Sequence, residues 1–112
     1  MDSVAHVRDY LAQFDAADRV IEFTVSSATV ELAASALNVE PGRIAKTLSF
    51  IVEEKPVLVV MAGDGRVNNS KFKAQFNTKP HMIPRERVEE LTGFQPGGVC
   101  PFGVPAEIPI WL

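Results

Sequence analysis

Hydrophobic and polar positions along the chain change period several times, and the changes divide it into alternating helical and extended segments. Val4, Val7, Leu11 and Phe14 recur at helical spacing behind Ser3, which predicts an amphipathic first helix with Ser3 as its N-cap. Val20 to Val25 reads as a strand. A second helix is predicted from Thr29 to Leu37, with Leu32, Ala33, Ala36 and Leu37 inward and Asn38 ending it before Pro41-Gly42. Two extended runs follow, Ala45 to Val52 and Val57 to Ala62, joined by Glu53-Glu54-Lys55-Pro56 at hairpin-loop length.

Beyond Gly63-Asp64-Gly65 the pattern returns to helix. Phe72 and Phe76, four apart, give a short helix from Ser70 to Phe76 an apolar edge. Pro84 at a first helical position and Gly93 just past the end bracket a further helix, Arg85 to Thr92. The segment QPGGVCPFGVP then holds three glycines and three prolines in eleven residues, a path tightly constrained yet open to close backbone approach. Glu107 to Leu112 reads as a last strand, ending on the apolar run Ile110-Trp111-Leu112.

One position breaks this pattern. In IAKTLSFIV the residues Ile44, Lys46, Leu48, Phe50 and Val52 share a parity, so a strand points them to one side, and that side is apolar except for the Lys46 ammonium. Burying an ammonium costs several kcal/mol unless a partner, a ligand or water meets it, which marks Lys46 as a candidate functional residue. The structural alternative is a lysine near the strand start that snorkels to solvent.

Composition adds bounds. The 112 residues, 46% hydrophobic and 22% charged, suit a single soluble domain spanning residues 1–112. The longest apolar stretch is too short to cross a bilayer and the N-terminus lacks a signal-peptide pattern, so the expected location is cytoplasmic, with no membrane partner. One cysteine, Cys100, excludes an internal disulfide framework, and His6 and His81 have no metal-ligand spacing, so neither a metal nor a cofactor is expected. Gly63-Asp64-Gly65 lacks the Gly-Lys-Ser/Thr of a phosphate loop, and the sequon Asn68-Asn69-Ser70 has no secretory context. A nucleophilic Cys100 would need an activating base, and none lies near it in sequence.

The formal charge of −3 is unevenly placed. Between Arg66 and Arg87 six cations face Glu86 alone, leaving +5 there and −8 over the rest. A segregated basic segment fits a partner with a localised phosphate backbone, against the alternative of a solvated helix face.

Lys46 in IAKTLSF and the loop LTGFQPGGVCPFG, in this order and about fifty residues apart, resemble the YbaK / prolyl-tRNA-synthetase-associated editing domain family of aminoacyl-tRNA deacylases. The resemblance covers almost the whole chain, including the alanine-bearing helix ELAASAL and the Thr-Leu after the lysine. It implies an α/β (α+β) fold, a mixed, barrel-like sheet flanked by helices, and hydrolysis of the ester joining a wrong amino acid to tRNA, with alanyl- or cysteinyl-tRNA(Pro) as expected substrates. It also implies Lys46 as the essential lysine, Gly97 and Gly98 as backbone-donor glycines, Pro101 and Gly103 as shapers of the pocket floor, and Thr29 at the pocket mouth. Val99, Cys100 and Phe102 fall at variable loop positions that tune which amino acid fits. Family members usually continue about forty residues past the position of Leu112, so the expectation is a sheet lacking its C-terminal strands and an open apolar edge.

An aminoacyl ester is already activated, so such a site needs water, charge stabilisation and placement rather than a covalent nucleophile. On that reading Lys46 orients the terminal adenosine or the ester carbonyl, Gly98 and its neighbours hold the oxyanion, and a ribose hydroxyl helps activate water. Lys71 and Lys73 would contact acceptor-stem phosphates. The alternatives are a non-catalytic module that binds tRNA or an aminoacyl-tRNA synthetase, and an interaction domain whose open edge pairs with a second copy in a homodimer.

Overall fold

The computed structural model describes residues 3–23 and 29–112. Its architecture is α+β: four helices and a three-stranded mixed sheet in the order β1-β2-β3. The strand pair β1 (Ala45–Val52) and β2 (Lys55–Ala62) is antiparallel, running in register from Ala45 opposite Ala62 to Val52 opposite Lys55. The connection is therefore the two residues Glu53 and Glu54, both at positive φ (51° and 67°), shorter than the four-residue loop the sequence predicts. Positive φ at both central positions is the type I′ geometry that matches strand twist.

Pro56 sits inside β2 because its missing N–H faces away from β1. Ile51, its partner, turns its own amide outward to the carbonyl of His81 at 2.8 Å. That bond and the Ile83 N–H to Ser49 carbonyl bond, 3.0 Å, attach the segment around Met82 to the outer edge of β1. On the far side β3 (Ile110–Trp111) pairs parallel with Leu58 and Val59 of β2, two residues where the sequence predicts six.

Helix α3 (Asn69–Phe76), capped by the Asn68 side chain, covers one face of the sheet through a row of rings. Phe50 meets Phe72 at 4.9 Å, Phe72 meets Phe76 at 4.5 Å, and Phe76 meets Trp111 edge-on at 5.3 Å, joining β1, α3 and β3. Leu58, Phe94 and Thr92 are the most deeply buried large side chains. The Thr92 hydroxyl donates to the Val88 carbonyl at 2.7 Å and accepts from the Phe94 amide at 3.1 Å, closing helix α4 (Val88–Thr92), which Gly93 ends in left-handed conformation. Pro84 precedes a 3-10 turn, Arg85–Arg87, instead of opening the helix itself.

Helix α2 (Val30–Leu37) keeps its predicted ends: the Thr29 hydroxyl accepts from the Leu32 amide at 3.1 Å and Asn38 adopts the left-handed conformation. Its inward face is different. Leu32 and Leu37 are 45% and 43% exposed, while Ala34 is buried and Val30 packs against Gly63. A Cβ on Gly63 would stand 2.5 Å from the Val30 Cγ1 and 2.4 Å from the Pro41 carbonyl oxygen, so α2 and the Pro41–Arg43 turn come closest to the hairpin where Gly63 has no side chain.

Helix α1 (Ser3–Ala12) buries Val4, Val7 and Leu11 only in part, and Phe14 lies past its end, 61% exposed and stacked loosely on Tyr10. Of the strand predicted from Val20 to Val25, residues 20–23 are not in a strand and the remainder lies outside the described residues.

Candidate active site

Beside β1 lies a cavity of about 460 Å³, within the roughly 300–1,000 Å³ range of small-molecule sites. It opens where the chain around Met82 leaves the strand edge. Residues 49 and 51 bond to that segment, so by the two-residue alternation of an antiparallel ladder Thr47 turns its amide and carbonyl toward the same edge, where no strand continues among the described residues. Lys46, Thr47, Leu48 and Ser49 form this wall. Thr29, Val30 and Ala33 of the α2 end form a second, and Pro96, Gly97 and Val99 a third. Ile44, Met82, Ile83, Arg85 and Val88 complete the lining.

Lys46 is half-buried, and its ammonium donates to the Gly65 carbonyl at 2.5 Å. The Gly63-Asp64-Gly65 break after β2 thus folds back to hold the lysine, with the Gly65 amide bonded to Ala62 and the Gly63 amide to Ile44. No carboxylate pairs with Lys46 among the described residues, and none lines the cavity. One of the three ammonium donors is used by Gly65, leaving the charge uncompensated.

The glycine loop is built on a turn. Gln95, Pro96, Gly97 and Gly98 form it, with the Gly98 amide bonded to the Gln95 carbonyl at 2.9 Å and Gly97 at φ 84°. Proline second and a positive-φ glycine third are the chemistry of a type II turn. Gly98, expected as an oxyanion donor, therefore spends its N–H inside the turn. The amides of Gly97 and Val99 have no acceptor among the described residues, and both residues line the cavity.

The rest of the loop leads elsewhere. Phe102 stands over α1, 6.3 Å from the Tyr10 ring, and lines a separate apolar hollow with Val7 and Leu11. The Gly103 carbonyl accepts from His6 Nε2 at 2.7 Å, and the His6 ring meets Phe94 edge-on. Cys100 is half-buried and its sulfur accepts from the Phe102 amide at 3.4 Å. Burial pushes its thiol pKa above the ordinary value, against the smaller lowering effect of that hydrogen bond. Of the residues expected around the substrate, Thr29, Lys46, Gly97 and Val99 line the cavity, while Gly98, Cys100, Pro101, Phe102 and Gly103 do not.

Residues 24–112 match the Aminoacyl-tRNA editing domain family. The chain belongs to that family. The editing domain is 41% identical over 111 residues to the uncharacterized protein YwhH of Bacillus subtilis (strain 168), an alignment covering 98% of this chain and 71% of YwhH. It is 33% identical over 84 residues to a proline–tRNA ligase of Bacillus velezensis, covering 74% of this chain and 15% of the ligase. Among solved structures, a crystal structure described as a candidate trans-editing enzyme for prolyl tRNA synthetase superposes with a TM-score of 0.86 at 31% identity, over 98% of this chain and 71% of that one. The expected mixed α+β class is the one observed, and no helix among the described residues is long and apolar enough to cross a membrane.

Two features of the site escaped the sequence. Arg85, 39 positions after Lys46, reaches the cavity only because the Met82 segment docks on β1. On α3, Lys71 and Lys73 lie two apart and so do not share a helix face; Lys73 instead joins Lys79 and His81 along a second groove, with Asn69 and Ser70. The clustered charges between Arg66 and Arg87 were the available signal for both.

Proposed function

We propose that this editing domain is a deacylase that hydrolyses the ester of mischarged tRNA, with alanyl- or cysteinyl-tRNA(Pro) as substrate. The observation that carries the reading is Lys46, an uncompensated ammonium fixed by the Gly65 carbonyl in a cavity also lined by Gly97 and Val99, whose amides have no acceptor among the described residues. An ester needs this pairing: a cation to orient the carbonyl or the terminal ribose, and neutral N–H groups to meet the oxyanion as it forms. With the Gly98 amide engaged, the donors are its two neighbours. No imidazole or carboxylate lines the cavity among the described residues, which agrees with water activation by the ribose hydroxyl beside the ester. Thr29 and Val99 both line the cavity, and on this reading they bear on the size of the acyl group admitted. On this reading Lys73, in its groove with Lys79, and the exposed Lys71 nearby on α3 contact phosphates of the acceptor stem without reading bases.

The test is deacylation of a panel of mischarged tRNAs by the wild type and Lys46→Ala, with circular dichroism on both. The expected result is selective hydrolysis by the wild type and a loss on the order of 10²–10³-fold in the variant at unchanged fold. A wild type inert on the whole panel, or a variant with the wild-type rate, would overturn the reading.

A further inference from the structure

Arg85 is the second cation of the cavity, and nothing in the catalytic proposal uses it. It follows Pro84, where the chain leaves the edge of β1, and lines both the Lys46 cavity and the adjoining groove formed with Glu86, Glu89 and Gln95. It thus stands on the wall the two share. The other arginine of that turn, Arg87, is paired with Glu90 at 3.2 Å. Arg85 has no carboxylate partner among the described residues, and the nearby Glu89 carboxylate is held by the Gln95 side-chain amide.

Two cations in a cavity without a lining carboxylate call for an anion. An aminoacyl ester is neutral and its α-amino group is a base, so neither supplies one. The anion of an aminoacylated RNA end is the phosphodiester that joins the last nucleoside to its neighbour. Lys46 has one donor committed to Gly65 beside the proposed ester position. The guanidinium, a planar fork of donors suited to two phosphate oxygens, is at the rim, where a polynucleotide would enter.

We infer that Arg85 binds the terminal phosphodiester of the acceptor end and so sets how deep the aminoacyl ester reaches toward Lys46. This rests on the deacylase reading above for its substrate. It is a contact to the backbone, so it positions the end without selecting sequence.

A chemical cycle tests it. The substrates are an alanylated acceptor-stem hairpin ending in CCA and the same hairpin with a neutral methylphosphonate at the terminal linkage; the proteins are wild type, Arg85→Ala and Arg85→Lys. Arg85→Ala is expected to lower kcat/KM about tenfold on the phosphodiester hairpin, with less than about twofold change on the methylphosphonate, and Arg85→Lys to recover part of the loss. The Kd of the uncharged phosphodiester hairpin should weaken in Arg85→Ala, and that of the uncharged methylphosphonate should not. Equal losses on both hairpins, or a Kd indifferent to Arg85, would overturn the assignment. If the wild type hydrolyses neither hairpin the deacylase reading fails, and the Kd comparison still decides whether Arg85 holds the phosphodiester.

Discussion

His6 Nε2 lies 2.7 Å from the carbonyl oxygen of Gly103 and donates to it, tying the first helix to the far end of the glycine loop across 97 residues of chain. The same ring packs edge-on against Phe94, which is 2% exposed and begins that loop's approach. Glycine at 103 is required twice over, by a φ of 93° and by the imidazole, whose Nε2 would be 2.7 Å from any Cβ there.

Removing this tie should loosen the glycine loop that shares the cavity with Lys46. His6→Ala is expected to cost about 1–2 kcal/mol, a part-buried hydrogen bond with some packing, and to raise amide exchange across residues 97–103. Exchange unchanged in that segment would show that the loop holds its own shape.

Gly63 is where α2 and the hairpin touch most closely. Gly63→Ala should destabilise by about 1–3 kcal/mol, because backbone and Val30 both stand in the way of a methyl group. Val30 also lines the cavity, so kcat/KM should fall further than the melting temperature alone explains. Thermal melts at wild-type values would contradict the close approach.

The hairpin turn offers a gain. Glu53 and Glu54 both hold left-handed backbone, which costs non-glycine residues about 1 kcal/mol or more each. Replacing the pair by Asn-Gly should stabilise the fold by about 1–2 kcal/mol in denaturant melts and leave catalysis alone. A lower midpoint would count against the I′ geometry.

Cys100 should behave as an inert thiol. With its pKa raised chiefly by burial, little thiolate exists at neutral pH, so iodoacetamide should label it several times more slowly than free cysteine. The linkage has a definite sign: a folded-state pKa above the unfolded one gives stability that is fully present below the unfolded value and disappears as pH rises through the folded value. Cys100→Ala should therefore flatten the alkaline end of the stability profile while retaining turnover. Fast labelling with matching loss of activity would make the thiol functional.

How much of this was legible beforehand depended on the range of the interaction. The strand pair, the Asn38 end of α2 and the Gly93 stop are local, set by residues within a few positions, and stand where the pattern puts them. The inward face of α2 differs because two leucines outweigh alanines in any apolar pattern, whereas the helix meets the hairpin through Val30 at Gly63 and buries Ala34. Lys46 was visible as a charge on an apolar parity. Arg85 was not, since its place follows from the docking of the Met82 segment on β1, and the ring of Phe102, a loop residue expected at the pocket, lies with Tyr10 instead.

The parallel pairing of β3 with β2 has a consequence for the order of assembly. Leu58 and Ile110 are neighbours in the sheet, and a parallel pair cannot close until the crossover between them has been made. The antiparallel hairpin that carries Lys46 closes over two residues, at small entropic cost. Synthesis from the N-terminus therefore delivers the lysine on a strand pair able to form by itself, while the glycine loop that walls its cavity emerges some fifty residues later. The environment of the charged group is therefore complete only once the glycine loop, far along the chain, has packed as one wall of its cavity.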